Sequence, residues 1–503
     1  MHYLDETNIF LFLTQVALLL GLARGAGLVL RRFGQPAITG EILVGVLLGP
    51  TILGRFLPGV QTAIFPTGVT QQTMLDTVAW LGILFFLLLT GLETDFAAAW
   101  KQRREGLTIS MADLVIPMAI AFLPSLFLPD RYLVSPDNRL LFAVFVATIM
   151  TISALPVTAR ALQELNLYKT DVSLLIMCAL TINDLAGWLV FAVILGMVTG
   201  AGMQLSGLAV ILVGTLVFSG LSLTVGRWGV DRTIRQIQKR RMPEPGTSLT
   251  FICLLGMLFG AITLKIGIHA LFGFFLAGLL AGESRSLPER TRHVIDEMVR
   301  AILVPLFFAT IGLKIDFLAN FDWFLVVFIL AVGVVGRFIG AWVGVTLTKH
   351  SRENRMLISI AHTPGGEMQI VVGLLALEYK VITPSVYVAI VFGAVASSII
   401  LGPWMKWALA RIKQPPVITF LSPTSVVHAM TARTRDEAIA ELCEVAQRER
   451  PSSCRASQVT TAVSDRERIM GTGIGSQVAV PHARLPGLRR PLVVAGLAPQ
   501  GIE

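Results

Sequence analysis

Apolar stretches long enough to cross a lipid bilayer recur thirteen times in this 503-residue chain. They fall near 8–30, 36–54, 74–94, 105–128, 138–159, 170–199, 204–226, 247–264, 266–283, 297–313, 322–346, 355–377 and 384–410. A spanning helix needs roughly 17–25 such residues. Hydrocarbon offers the backbone no hydrogen bonds, so each stretch must close its own as a helix. The expected fold class is therefore an all-α polytopic membrane protein of about thirteen transmembrane helices, multi-pass in an inner or plasma membrane, with a partial α/β tail. The balance of residues, 54% hydrophobic and 15% charged, excludes an ordinary soluble domain. The first stretch is long and lacks a small-residue cleavage pattern, so it does not read as a signal peptide. Cys178, Cys253, Cys443 and Cys454 form neither a metal spacing nor a disulfide framework. No cofactor is expected, and the chain does not read as an enzyme.

The net charge of +9 does not point to nucleic acid, because it comes mostly from short loops on one side. Loops after odd-numbered stretches hold 22 Lys and Arg, six of them between 227 and 246; the opposite loops hold six. The positive-inside rule then puts the N-terminus outside and the C-terminus in the cytoplasm.

The chain also repeats itself. GEILVGVLLG (40–49) matches GFFLAGLLAG (273–282) with three glycines in register, and FFLLLTGLETDF (85–96) matches LFFATIGLKIDF (306–317). Both matches shift by seven stretches. Seven is odd, so the copies have opposite topology: stretches 1–6 and 8–13 read as inverted repeats joined by stretch 7. Many secondary transporters are built this way, with substrate sites near the midplane where discontinuous helices meet. Stretch 5 carries TISALPVTAR (151–160) with Pro156, and its equivalent, stretch 12, carries HTPGGEMQ (362–369) with Pro364, Gly365 and Gly366. A proline removes a backbone hydrogen bond and crowds a carbonyl, so both places are expected to be helix breaks.

Charges inside the stretches are functional candidates by default, since one lone charge at mid-membrane costs at least about 2.5–3.5 kcal/mol. In TINDLAGW (181–188), Asp184 lies near mid-depth and follows Asn183. Arg337, Asp113 and Glu367 are the other deep charges. Glu41 and Arg24 sit nearer ends and read as snorkelling or capping groups. Desolvation and a nearby cation pull a buried carboxylate's proton affinity in opposite directions. Asp184 is thus expected to bind a proton and a monovalent cation, Na⁺ or K⁺, in competition; the alternative is a structural ion pair. Asn183 cannot titrate, so one proton per cation is expected, giving electroneutral 1:1 exchange. Arg337 reads equally as counter-charge and as structural tie, with Asp184, Asp113 or Glu367 as partner. For Asp113 the structural role leads.

These residues resemble the monovalent cation:proton antiporter-2 family of the sodium/proton exchanger superfamily over roughly 8–410. The resemblance is carried by QPAITGEILVGVLLGPTILG (35–54), TISALPVTARALQEL (151–165), TINDLAGW (181–188), HALFGFFLAGLLAGES (269–284), LVPLFFATIGLKIDF (303–317) and HTPGGEMQIVV (362–372). It implies thirteen helices, a homodimer in the bilayer, and a mobile core that moves like an elevator. It also implies that Asp184 carries the ion and Arg337 is the cationic residue of stretch 11. A neighbouring electroneutral family has Thr-Asp before the stretch-5 proline, where this chain has Ala154 and Leu155. Ligands are then expected from backbone oxygens around Ser153–Leu155 and the hydroxyls of Thr151, Ser153 and Thr181.

The domains expected are a membrane domain (1–411), a linker (412–422) and a cytoplasmic tail (423–503). GTGIG…VAVPHAR in the tail resembles the enzyme IIA domain of the phosphotransferase system, fructose/mannitol type. That resemblance implies phosphate acceptance at His482, with Arg484 as a steadying neighbour. The tail reads as a fragment or a degenerate copy of that domain, with a possible regulatory partner. Two other functions fit parts of the sequence: a gated potassium-efflux system, and a membrane-anchored sensor of phosphorylation state. The first is disfavoured by the lack of a G-x-G-x-x-G turn after a strand, the second by the cost of burying Asp184 in a mere anchor.

Overall fold

The computed structural model describes residues 5–32, 36–94, 103–165, 167, 170–196, 205–348, 354–411, 421, 423–449, 456–469, 471–475, 477–483, 485 and 492–502. The chain forms two compact units, Met1–Tyr168 with Val172–Leu409, and Lys169–Asp171 with Ala410–Glu503.

The larger unit is helical. Its long elements are α1 (Glu6–Arg32), α2 (Ala37–Leu48), α3 (Val69–Glu93), α4 (Arg103–Ser125), α5 (Arg139–Thr151), α6 (Leu155–Glu164) and α7 (Asp171–Gly196). They continue with α8 (Leu205–Leu221), α9 (Arg227–Lys239), α10 (Gly246–Ile266), α11 (Ala270–Gly282), α12 (Glu289–Met298) and α13 (Val304–Lys314). The last four are α14 (Trp323–Leu347), α15 (Arg355–Ala361), α16 (Glu367–Glu378) and α17 (Pro384–Arg411). Among the described residues, nine helical segments are long and apolar enough to cross a membrane. The protein is a multi-pass integral membrane protein.

The repeated sequences sit in equivalent contacts. Gly45 of α2 lies so close to α13 that a Cβ would overlap the Ala309 carbonyl, and Gly312 faces it. Gly278 of α11 lies against α3 in the same way, its would-be Cβ overlapping the Leu88 carbonyl, with Gly91 opposite. Gly45 and Gly278 are partners in one repeat match, and Gly312 and Gly91 in the other. The two helix pairs are thus copies of one joint, made where absent side chains let backbones touch.

Stretches 5 and 12 break as expected. α5 ends at Thr151 and α6 begins at Leu155, placing Pro156 at the second helical position, where its missing N–H is no loss. Its ring excludes helical bonding to the carbonyl four residues back, that of Ile152. α15 and α16 flank the break at 362–366. The basic segment 227–246, expected as a loop, is instead helical to Lys239. Val230, Ile234 and Ile237 recur at helical spacing and are buried, giving α9 an apolar face to pack.

The smaller unit holds α18 (Arg435–Glu449) and α19 (Ala456–Ile469), packed through Ile439, Cys443 and Val463. Strand β1 (Val426–Val427) pairs in parallel with β4 (Ala495–Gly496), and β2 (Gly473–Gly475) pairs antiparallel with β3 (Val478–Ala479). Thr434 and Glu437 cap α18 reciprocally: the Glu437 carboxylate accepts from the Thr434 N–H at 3.2 Å, and the Thr434 hydroxyl from the Glu437 N–H at 3.4 Å.

Candidate ion-binding site

The two breaks cross. The Ala154 N–H donates to the Pro364 carbonyl at 3.0 Å. The Ser153 hydroxyl donates to the His362 carbonyl at 3.2 Å, and the Thr158 hydroxyl to the Ala361 carbonyl at 2.7 Å. These bonds replace the helical ones that each break gives up. The approach is close enough that a Cβ on Gly366 would meet the Ala154 Cβ at 2.6 Å.

Arg337 closes the crossing from α14. It is 2% exposed and donates to the Ile152 carbonyl at 2.7 Å, the Gly333 carbonyl at 3.1 Å and Gln369 Oε1 at 3.5 Å. The carbonyl freed by Pro156 is therefore the one the guanidinium takes. Asp113 on α4 interacts electrostatically with Arg337. Its Oδ2 accepts from Asn183 Nδ2 at 2.7 Å and from the Ser153 hydroxyl at 3.4 Å. Of the three partners left open for Arg337, Asp113 is the acidic group it is coupled to.

Asp184 is the next residue after Asn183 on α7, and its environment differs. Its Oδ1 is buried and has no hydrogen-bond partner among the described residues. One turn on, Gly187 abuts the Ile152 side chain, which places this part of α7 beside the break. The electrostatic neighbour of Asp184 is Glu367, the first residue of α16, which repels it. Asn183 donates through Nδ2 to Asp113, while Asn183 Oδ1, Asp113 Oδ1 and Asp184 Oδ1 are all buried without a partner among the described residues. Thr151 donates to the Thr148 carbonyl of its own helix at 2.7 Å, and Thr181 is buried.

Three residues at the site were not singled out by sequence. Gln369 contacts Arg337, and His362 is fully buried with Nε2 unpartnered among the described residues. Glu41 read as a capping group; it is instead 2% exposed, with Oε2 unpartnered among the described residues. It lines a cavity of ≈ 700 Å³ together with Pro156 and Glu367. A carboxylate near the end of an apolar stretch looks like a snorkelling or capping group in sequence; the packing of α2 buries it instead.

In the smaller unit, His482 is half-buried, with Nδ1 2.9 Å from the Val480 carbonyl. Arg484 lies outside the described residues.

Crossed, interrupted helices around an uncompensated carboxylate, inside a repeat-built helical membrane protein, define the secondary-transporter class. The chain belongs to the sodium/hydrogen exchanger family: the family model described as "Sodium/hydrogen exchanger, transmembrane" matches residues 16–411. A second model, "Phosphoenolpyruvate-dependent sugar phosphotransferase system, EIIA 2", matches residues 419–503. Among similar proteins is the Na(+)/H(+) antiporter NhaS4 of Synechocystis, 27% identical over 80% of this chain and 97% of its own length. Cation/H(+) antiporter 19 of Arabidopsis thaliana is 30% identical over 78% of this chain, and K(+)/H(+) antiporter 1 of Saccharomyces cerevisiae 27% identical over 80%. The matched segment spans about half of these two relatives, 49% and 47%. The fold is that of the sodium proton antiporter MjNhaP1 from Methanocaldococcus jannaschii, with TM-score 0.62 at 15% identity over 80% of this chain and 99% of that one.

Proposed function

We propose that this protein exchanges a monovalent cation for protons across the membrane by alternating access, with Asp184 binding the two in competition. The observation that carries the reading is the buried, unpartnered Asp184 carboxylate oxygen beside the crossed breaks. A charge so placed is costly unless something neutralises it. A proton or a desolvated hard cation both do so, and both at once are not needed. Asn183 is neutral and donates to Asp113, and the attraction of Arg337 offsets part of the Asp113 charge. With Asp184 as the carboxylate that exchanges its proton for the cation, the reading is one cation per proton and electroneutral exchange at this site. The names of the relatives include both Na⁺/H⁺ and K⁺/H⁺ antiporters, which supports a monovalent cation without choosing between the two.

In this reading thirteen helices span the membrane, the basic loops and the IIA-like tail face the cytoplasm, and the protein works as a homodimer whose core slides against a fixed part. The glycine joints of α2–α13 and α3–α11 suit the fixed part. The ion ligands beside Asp184 are backbone oxygens of the crossing with Thr181, Thr151 and Ser153. His482 is the place where the tail accepts phosphate or a regulatory partner.

The test is exchange in proteoliposomes with an entrapped pH dye, adding Na⁺ and K⁺ in turn. Wild type should dissipate a preset pH gradient and Asp184→Asn should not. Full exchange by Asp184→Asn refutes the site; no exchange by wild type with either ion refutes the function. Clamping the membrane potential should leave the rate unchanged.

A further inference from the structure

The ≈ 700 Å³ cavity reaches the back of the crossing, and two carboxylates share its wall: Glu41 from α2 and Glu367 from α16. They come from opposite repeats and interact repulsively, and Glu367 in turn repels Asp184. Neither glutamate forms an ion pair among the described residues. Arg300, on the same wall, is committed elsewhere. Its Nη2 holds both oxygens of Glu93 at 2.5 and 2.6 Å, and its Nε holds Asp296 at 2.5 Å. Arg31, Arg160 and Lys406 line the cavity as well; Arg31, Arg24 and Arg300 offset part of the Glu41 charge, and Arg300 part of that of Glu367. The offset does not satisfy the Glu41 carboxylate, whose Oε2 is buried without a partner among the described residues.

We propose that Glu41 and Glu367 form a second monovalent-cation site, a staging post between the cavity and Asp184. Two buried carboxylates on one cavity wall repel each other, the more so where the effective dielectric is low. A hard cation with oxygen ligands relieves that repulsion, and carboxylate and hydroxyl oxygens are its natural partners. The Ser398 hydroxyl lines the same cavity and supplies a neutral oxygen; it donates its own proton within α17 and to the Gly365 carbonyl at 2.9 Å. That bond ties the cavity wall directly to the break in stretch 12. The Glu367 charge faces the cavity and Asp184 alike, so a cation held there lowers the barrier to its neighbour. The inference rests on the exchange reading of Asp184.

Equilibrium binding separates the two. Full-length protein in detergent is incubated with radioactive sodium, and separately with radioactive rubidium as a potassium stand-in. Asp184→Asn should retain saturable binding of one of these ions, and Asp184→Asn combined with Glu41→Gln should lose it. In proteoliposomes, Glu41→Gln alone should raise the cation KM about tenfold while the maximal rate stays within about twofold. If Asp184→Asn binds neither ion while wild type exchanges, the second site is wrong and the exchange reading stands. If Glu41→Gln leaves KM unchanged, the site is likewise overturned. Should Glu41→Gln elute as aggregate, Glu367→Gln takes its place in the binding comparison alone, where retained binding in its double variant with Asp184→Asn overturns the site. If wild type fails to exchange, ion binding by Asp184→Asn still decides the second site by itself.

Discussion

Replacing Gly366 with alanine inserts one methyl group where the broken helices cross. The Gly366 backbone is extended, with φ −125° and ψ −168°, so any residue suits it and the effect is purely steric. The new Cβ would sit 2.6 Å from the Ala154 Cβ, where ordinary contact begins at 3.4 Å. The two segments must therefore part by roughly 0.8 Å, and overpacking of this kind costs about 1–3 kcal/mol. The displacement falls on the 3.0 Å bond between Ala154 and Pro364 and on the Ile152 carbonyl held by Arg337. A misplacement approaching 1 Å at a site that orders its ligands costs about a hundredfold in rate. Exchange measured in proteoliposomes should fall by that order, with a modestly lower melting temperature in detergent. Gly21→Ala is the control, since nothing lies within 4 Å of its Cβ position. A Gly366→Ala protein that exchanges and melts like wild type refutes the account of the crossing.

Asn183→Ala removes the donor that Asp113 Oδ2 receives at 2.7 Å, and should destabilise the protein by about 1–3 kcal/mol. Adding Asp113→Asn should recover part of that loss in the melting temperature, and no recovery would show that Asn183 acts elsewhere. Gly45→Ala and Gly278→Ala meet equivalent carbonyls and should lower thermal stability by similar amounts, each about 1–3 kcal/mol or more; one harmful and one silent substitution would break the symmetry. Asp231 on α9 lies outside the spans. Burial opposes its ionisation, but hydrogen bonds from Ser284 and Arg235 outweigh this and hold its carboxyl below the ordinary range. A depressed folded-state value stabilises above the unfolded value, near pH 4, and that contribution is lost as pH falls below it. The melting temperatures of wild type and Asp231→Asn should therefore differ above about pH 4 and converge as pH falls from there through the lower folded-state value.

The membrane architecture was legible because its signals are local: apolar length gave the helices, and Pro156 with Pro364–Gly366 gave the breaks. Asp184 stood out because a mid-span carboxylate has few structural excuses. What the residues did not reveal depended on rotation about helix axes. Neighbours on α7, Asn183 and Asp184, differ by about 100° around the axis, and only packing decides which one meets Asp113. Glu41 was misread for the same reason, since a carboxylate near the end of an apolar stretch looks like a snorkelling or capping group until the packing shows which way it turns. The helical course of α9 was hidden by its charge, which outweighs three apolar residues in composition but not in burial.

The joints at Gly45–Gly312 and Gly91–Gly278 also set which changes this protein can absorb. Where side chain meets side chain, a larger residue can be answered by a smaller neighbour. Where backbone meets backbone there is no neighbour to answer, and any residue larger than glycine forces two helices apart. The two segments in which the halves resemble each other are the ones that touch, so the likeness falls where the fold leaves least room for change.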